Sequence, residues 1–308
     1  MSNSPYSFAT LRNRLRITAT LVAETALRIG AGRASDPTRN DLPVVRDLLG
    51  QPFVPGASLK GVLRAQLETL LQALATKSWA DAKAKLDEIK AALPHVAAGQ
   101  YLQTILNSAV DRTILDLPQL EARTSVLRQI KALGLNEATF TALVWHQASM
   151  IDLTFGSPEI AGRLFVKDAR VVTELWSGRF EVRNGVGINR DTETAEPNFL
   201  YDYEVVPADT RFEVELVLEN SQPWQRGMLL YALLPWQRGE VAIGGFRSRG
   251  LGHVRLDDPQ FSFTEVQSVD DVIALLDGTT QAPDEATQTG WRQAFVQELR
   301  KGVEADHA

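Results

Sequence analysis

From residue 14 to residue 22, and again from 211 to 218, apolar and polar side chains alternate. Leu15, Ile17, Ala19 and Leu21 share one face of the first run, and Arg14, Arg16, Thr18 and Thr20 share the other. In the second run Phe212, Val214, Leu216 and Leu218 alternate with Arg211, Glu213 and Glu215. A period of two places one face of a strand against a core and the other in water. The stretch between the runs has the opposite texture. Residues 65–150 are rich in Ala and Leu, carry eight acidic and eight basic side chains, and hold only Pro94 and Pro118, so they read as several helices. Strand-like sequence returns at 163–172. The pattern predicts an α+β domain built from residues 1–64 and 151–256 and interrupted by a helical insertion over 65–150.

Within that frame, a turn-rich stretch at 30–40 leads into an extended Leu42–Val45. Pro55-Gly56-Ala57-Ser58 signals a helix start with Ser58 at the N-cap. Leu59, Val62, Leu63, Leu67, Leu70, Leu71 and Leu74 then follow helical spacing. One pentapeptide occurs twice, at 223–227 and 235–239, and the copies are expected to bracket a helix over Met228–Leu234. A last strand is predicted at Gly252–Leu256. Residues 257–308 read as an acidic linker and a C-terminal helix carrying Trp291, Phe295, Val296, Leu299 and Val303.

The net charge of −6 is unevenly spread. Residues 257–308 hold eleven acidic and three basic side chains, which leaves the rest of the chain mildly basic. Of the 32 basic residues 24 are Arg, whose planar fork grips phosphate oxygens in pairs, although a GC-rich genome produces the same bias. The absence of cysteine excludes disulfides, cysteine zinc sites and thiol catalysis. The polar start and the lack of a long apolar run predict a cytoplasmic protein without membrane contact. Gly56 and Gly61 have P-loop spacing, but Val62 and Leu63 stand where Lys and Ser or Thr would be required. The four histidines show neither metal-ligand nor triad spacing.

Two glycine- and arginine-rich segments remain as phosphate-cradling candidates. The first runs from Leu27-Arg28-Ile29-Gly30 through Gln51 to Arg64, with Lys60 and Arg64 four apart on one helical face near its N-terminus; an ordinary capped helix with two solvated bases gives the same pattern. The second, Ile243–Val254, contains Gly244, Gly245, Gly250 and Gly252, with Arg247 and Arg249 on either side of Ser248. A surface turn would use the glycines without needing both arginines.

These two segments, with Thr154-Phe155-Gly156-Ser157, Gly162 to Ala169, and Ile188 to Ala195 continuing through Tyr201 to Pro207, resemble in order the signature blocks of RAMP superfamily CRISPR-associated proteins. The likeness is to the backbone (Cas-seven group) subunits of type III effector complexes and spans residues 14–256 outside the insertion. It implies a ferredoxin-like, RRM-related core with a thumb hairpin over about residues 183–203. It also implies binding of guide (CRISPR) RNA through Arg28, Ser58, Lys60, Arg64, Arg190, Thr192, Gly244, Gly245, Arg247 and Arg249. The implied partners are single-stranded target RNA, other RAMP subunits and a large signalling subunit, in antiviral defence. The family's cutting aspartate corresponds to Asp41 before Leu42-Pro43-Val44, with Asp36 as a second candidate. The implied activity is a target-RNA endoribonuclease leaving a 2′,3′-cyclic phosphate, with Asp41 as base or as ligand to a divalent cation such as Mg2+. The long insertion, and the lack of the cysteines often found before the Phe-Gly-Ser block, depart from the pattern. A non-catalytic architectural or capping subunit is the alternative. A standalone enzyme acting on a small phosphorylated metabolite is a third reading, and it predicts a protein purified without RNA.

Overall fold

The computed structural model describes residues 8–32, 42–74, 148–157, 160–188 and 195–305. Most of the expected helical insertion lies outside the described residues, as do Asp36, Asp41, Arg190 and Thr192. The described chain runs β1 (Asn13–Ala23), β2 (Phe53–Val54), α1 (Gly56–Gln72), α2 (Met150–Phe155), β3 (Leu164–Val166), β4 (Ala169–Val171), β5 (Glu181–Ile188) and β6 (Ala195–Val205). It continues through β7 (Arg211–Glu219), α3 (Pro223–Gln237), β8 (Val241–Ala242), β9 (His253–Glu265), α4 (Val269–Asp277) and α5 (Glu285–Ala305).

The two alternating runs are neighbours. β1 pairs antiparallel with β7, placing Leu15 opposite Leu218 and Leu21 opposite Phe212, and with β9 on its other side. β3 and β4 both pair with β7 and act as two halves of one strand, divided at Lys167 and Asp168. With α1 between β1 and β3, and α3 between β7 and β9, this is a βαββαβ unit. Its four principal strands lie in the order fourth, first, third, second, all antiparallel. The arrangement is ferredoxin-like, and the β5–β6 hairpin is inserted between its second and third strands.

The apolar face of the sheet, with Leu15, Ile17, Leu21, Phe212, Leu216, Leu218, Val254 and Leu256, packs into one core with Leu59, Leu63, Leu67 and Leu71 of α1 and Met228, Leu229 and Leu233 of α3. Each such side chain contributes about 1.5–3 kcal/mol by leaving water. The other face is polar and largely self-neutralised. Arg14 meets Glu219 at 2.7 Å, Arg16 meets Glu215 at 3.0 Å, and Lys167 meets Glu215 at 2.8 Å.

Three elements differ from the sequence expectation. β9 continues past residue 256 to Glu265, because a register shift between Thr18 and Thr20 takes up Asp258, at φ 50°, and Pro259 as a bulge. α3 contains the first pentapeptide and ends within the second. Pro223 occupies its first turn, and Pro235 lies near its end, where few later hydrogen bonds depend on it. The same five residue types therefore do different work at 223 and 235. Gln225 and Arg226 are buried, whereas Arg238 is exposed and bonds Glu240. Finally, α5 belongs to the core. Trp291 and Phe295 are buried, and a Cβ at Gly227 would stand 2.0 Å from the Trp291 carbonyl oxygen. Arg226 lies over Phe263 at 4.5 Å and over Trp291 at 5.0 Å, and burial pushes its pKa down to about 10. That cation ties α3, β9 and α5 together.

Candidate nucleic-acid interface

At the base of the hairpin β6 is held by two neighbouring segments. Leu27 and Val206 exchange backbone hydrogen bonds of 2.8 Å. On the other side Leu42 N–H donates to the Asp202 carbonyl at 3.2 Å, and Glu204 N–H donates to the Leu42 carbonyl at 3.1 Å. Glu204 also accepts from Val44 N–H at 3.2 Å and from Arg46 at 2.6 Å, and Arg46 lies 3.7 Å over the Phe180 ring. The extended segment expected at 42–45 is thus anchored to the hairpin, and it is the first described stretch after Asp41.

The glycine-rich segment closes onto this junction from β8 and β9. Gly245 N–H donates to the Arg28 carbonyl at 2.8 Å, and Gly252 N–H donates to the Ala26 carbonyl at 2.9 Å. The approach is too close for a side chain: at Gly244, whose φ is 79°, a Cβ would fall 2.3 Å from the Arg28 oxygen. Arg247–Arg249 form one 3-10 turn after Phe246, itself left-handed at φ 60°. A bulky residue in that conformation is strained and is held by its surroundings. Here the Phe246 ring packs edge-on against Tyr203 at 4.8 Å, and the guanidinium carbons of Arg28 and Arg249 each lie 5.0 Å from its centroid. Arg249 Nη1 donates to the Tyr201 hydroxyl at 2.5 Å.

Arg28, Gly244, Gly245, Arg247 and Arg249 are therefore brought together, and among the described residues none of these three arginines meets a carboxylate. Burial pushes the Arg28 guanidinium down from its usual range, with Tyr201 and Tyr203 pulling the other way, and among the described residues its Nε has no partner. Three uncompensated guanidinium groups beside exposed glycine backbone suit phosphate, and aromatic rings at the same spot suit an unpaired base. Sequence reasoning missed Tyr203 and assigned no role to Tyr201 or Phe246. The alternation Tyr201-Asp202-Tyr203 on a strand puts both rings on one face and was the available signal.

The other predicted contacts lie against β3 and α2. Ser58 is the third residue of α1 instead of its N-cap, since Pro55 precedes the helix and Asp168 Oδ1 accepts the Gly56 N–H at 2.7 Å from 112 residues away. Lys60 Nζ donates to the Leu164 carbonyl at 2.8 Å, and burial, with Arg64 beside it, pushes its pKa down. Arg64 bonds Glu68 at 2.7 Å and the Gly156 carbonyl at 2.7 Å, and lies 3.5 Å from the buried Asp152. Among the described residues no three His, Asp or Glu side chains gather as a metal site would need. No helix among them is long and apolar enough to cross a membrane.

A family profile described as the RAMP superfamily matches residues 20–255, a span that holds β2 to β8, the hairpin among them, and the glycine-rich segment, with the end of β1 and the start of β9. The chain belongs to the RAMP superfamily. With that membership go CRISPR association, RNA binding and assembly with other Cas subunits. A search of curated proteins finds no match. The match covers most of the ferredoxin-like unit, and the hairpin and glycine-rich segment stand at one end of it.

Proposed function

We propose that this RAMP protein is a guide-RNA-binding backbone subunit of a type III CRISPR effector complex, which pairs its guide with target RNA and cleaves that target. The observation that carries the reading is the placement of Arg28 and Arg249 against Phe246, which packs on Tyr203 at the base of the hairpin, with Arg247 on the same 3-10 turn as Arg249. The RRM-like open face is neutralised by its own ion pairs, which leaves this edge as the natural seat for a phosphate backbone.

Cleavage uses the RNA's own nucleophile. The 2′-oxygen attacks the adjacent phosphorus, the bond to the 5′-oxygen breaks, and the products carry a 2′,3′-cyclic phosphate and a 5′-hydroxyl. Asp41 takes the 2′-hydroxyl proton, water returns one to the leaving oxygen, and a hairpin wedged between base pairs supplies the in-line geometry. If Asp41 instead held a divalent ion, that ion would supply charge neutralisation at the phosphate.

The reading is tested by purifying the protein with its neighbouring subunits and measuring the 260 to 280 nm absorbance ratio. Then Arg28→Ala and Arg247→Ala are titrated with single-stranded RNA across a range of salt. A nucleic-acid ratio is expected, with weaker binding and a shallower salt slope in each variant. A protein-only ratio, with RNA affinity unchanged by both substitutions, would favour the standalone enzyme.

A further inference from the structure

Tyr201 bridges the hairpin and the glycine-rich segment, which no backbone hydrogen bond joins directly among the described residues. In the hairpin register it faces Gly185, and a Cβ at that glycine would lie 2.2 Å from Tyr201 Cζ, so the tyrosine ring occupies the place of the missing side chain. Laying an aromatic over a bare strand glycine stiffens a two-stranded hairpin at its weakest point. The hydroxyl at the far end of that ring accepts the Arg249 Nη1–H at 2.5 Å, while the same guanidinium lies over Phe246. Arg249 is thus held by one nitrogen and one face, and among the described residues its remaining N–H groups meet no carboxylate.

We infer that Tyr201 is a positioning residue: it presents the Arg249 guanidinium to an RNA phosphate and thereby couples the hairpin to the glycine-rich segment. The inference rests on the reading of that segment as the guide-RNA site. A long arginine side chain fixed before the ligand arrives loses less rotamer freedom on binding. Coupling is reciprocal, so a phosphate that locks Arg249 also stiffens the hairpin through Tyr201.

Tyr201→Phe keeps the ring over Gly185 and removes only the hydroxyl, so the folded hairpin is retained. The full-length wild type, Tyr201→Phe and Arg249→Ala are titrated with a fluorescein-labelled single-stranded RNA of mixed sequence at several salt concentrations. Hydrogen exchange of β5 and β6 is followed with and without that RNA. For Tyr201→Phe the expected result is an affinity about three- to tenfold weaker, because one side chain must now be ordered on binding. Its salt slope is unchanged, because every cation remains. RNA-induced protection of β5 and β6 is expected in the wild type and lost in Tyr201→Phe. Arg249→Ala is expected to weaken binding and to lower the salt slope by about 0.7 for one lost single-strand phosphate contact. Wild-type affinity and hairpin protection in Tyr201→Phe, with Arg249→Ala impaired, overturn the inference and leave the site reading intact. Unchanged affinity and slope in Arg249→Ala overturn the site reading itself.

Discussion

Replacing Lys60 and Arg64 together by alanine separates two roles that spacing alone leaves equivalent, since both half-buried side chains bond backbone carbonyls of the fold. Arg64→Ala removes an i,i+4 pair with Glu68, worth about 0.3–0.5 kcal/mol. It also removes a charge-assisted bond of 2.7 Å to the Gly156 carbonyl, at the C-terminus of α2. Such bonds contribute about 1.5–3 kcal/mol, and the 28% exposure of the Arg64 side chain puts this one at the lower end. Lys60→Ala removes the bond to the Leu164 carbonyl, about 1 kcal/mol for a half-buried donor. The pair is therefore expected to destabilise the protein by about 3 kcal/mol, a large share of a typical total of about 5–15. Urea unfolding followed by circular dichroism reads this as a lower midpoint at unchanged slope. RNA affinity of the folded double variant should stay within about twofold of wild type if the backbone carbonyls and Glu68 are the main partners of these two head groups. A double variant of wild-type stability whose RNA affinity and salt slope both fall would refute the reasoning and return these residues to the RNA site.

Gly227→Ala should destabilise the protein by at least about 1–3 kcal/mol, because its Cβ meets the Trp291 carbonyl; an unchanged melting temperature would mean that α5 does not pack there. Glu215 is held below its ordinary pKa of 4.5 first by its hydrogen bond to Arg16, with burial opposing and Lys167 adding to the effect. A carboxylate whose folded pKa is depressed stabilises the fold above its unfolded pKa and loses that contribution as pH falls through the folded value. Glu215→Gln should therefore flatten the decline of thermal stability below about pH 4.5, and an equally steep decline would count against the ion pairs. Asp41→Ala should abolish target cleavage while guide and target binding persist, with Asp36→Ala as the matched control and a 2′-deoxy target at the cut position resistant. Full cleavage by Asp41→Ala, in an assembly where no other subunit can cut, would leave the architectural reading.

Much of the frame was legible because a period of two admits few structures: β1 and β7 lie where the alternation put them, and α1 starts at the Pro-Gly signal. What escaped depends on partners distant in sequence. Ser58 carries the side chain of an N-cap, but the acceptor at the head of α1 is Asp168, supplied by the turn between β3 and β4. Lys60 and Arg64 share a face as their spacing requires, yet spacing says nothing of the carbonyls that face them. Asp257-Asp258-Pro259 looks like a linker because the rule against proline in strands lapses at a bulge, and the bulge is set by the register with β1. At the candidate site the glycines and arginines were visible in the sequence. The tyrosines that organise them come from the other arm of an inserted hairpin.

The central place of β1 has a consequence for biosynthesis. Its sheet neighbours are β7 and β9, so the first strand to leave the ribosome waits for residues 211–219 to pair one edge and for residues 253–265 to pair the other. At about 5–20 residues per second, the wait for β7 alone is on the order of 10–40 seconds. Throughout it Leu15, Ile17 and Leu21 sit on a strand with two open edges, a template for pairing with other chains. The residues between α1 and α2 lengthen that interval by their own translation time. Expression of this protein should accordingly respond to factors that shield nascent strands, and circular permutation that brings β1 next to β9 should raise its soluble yield.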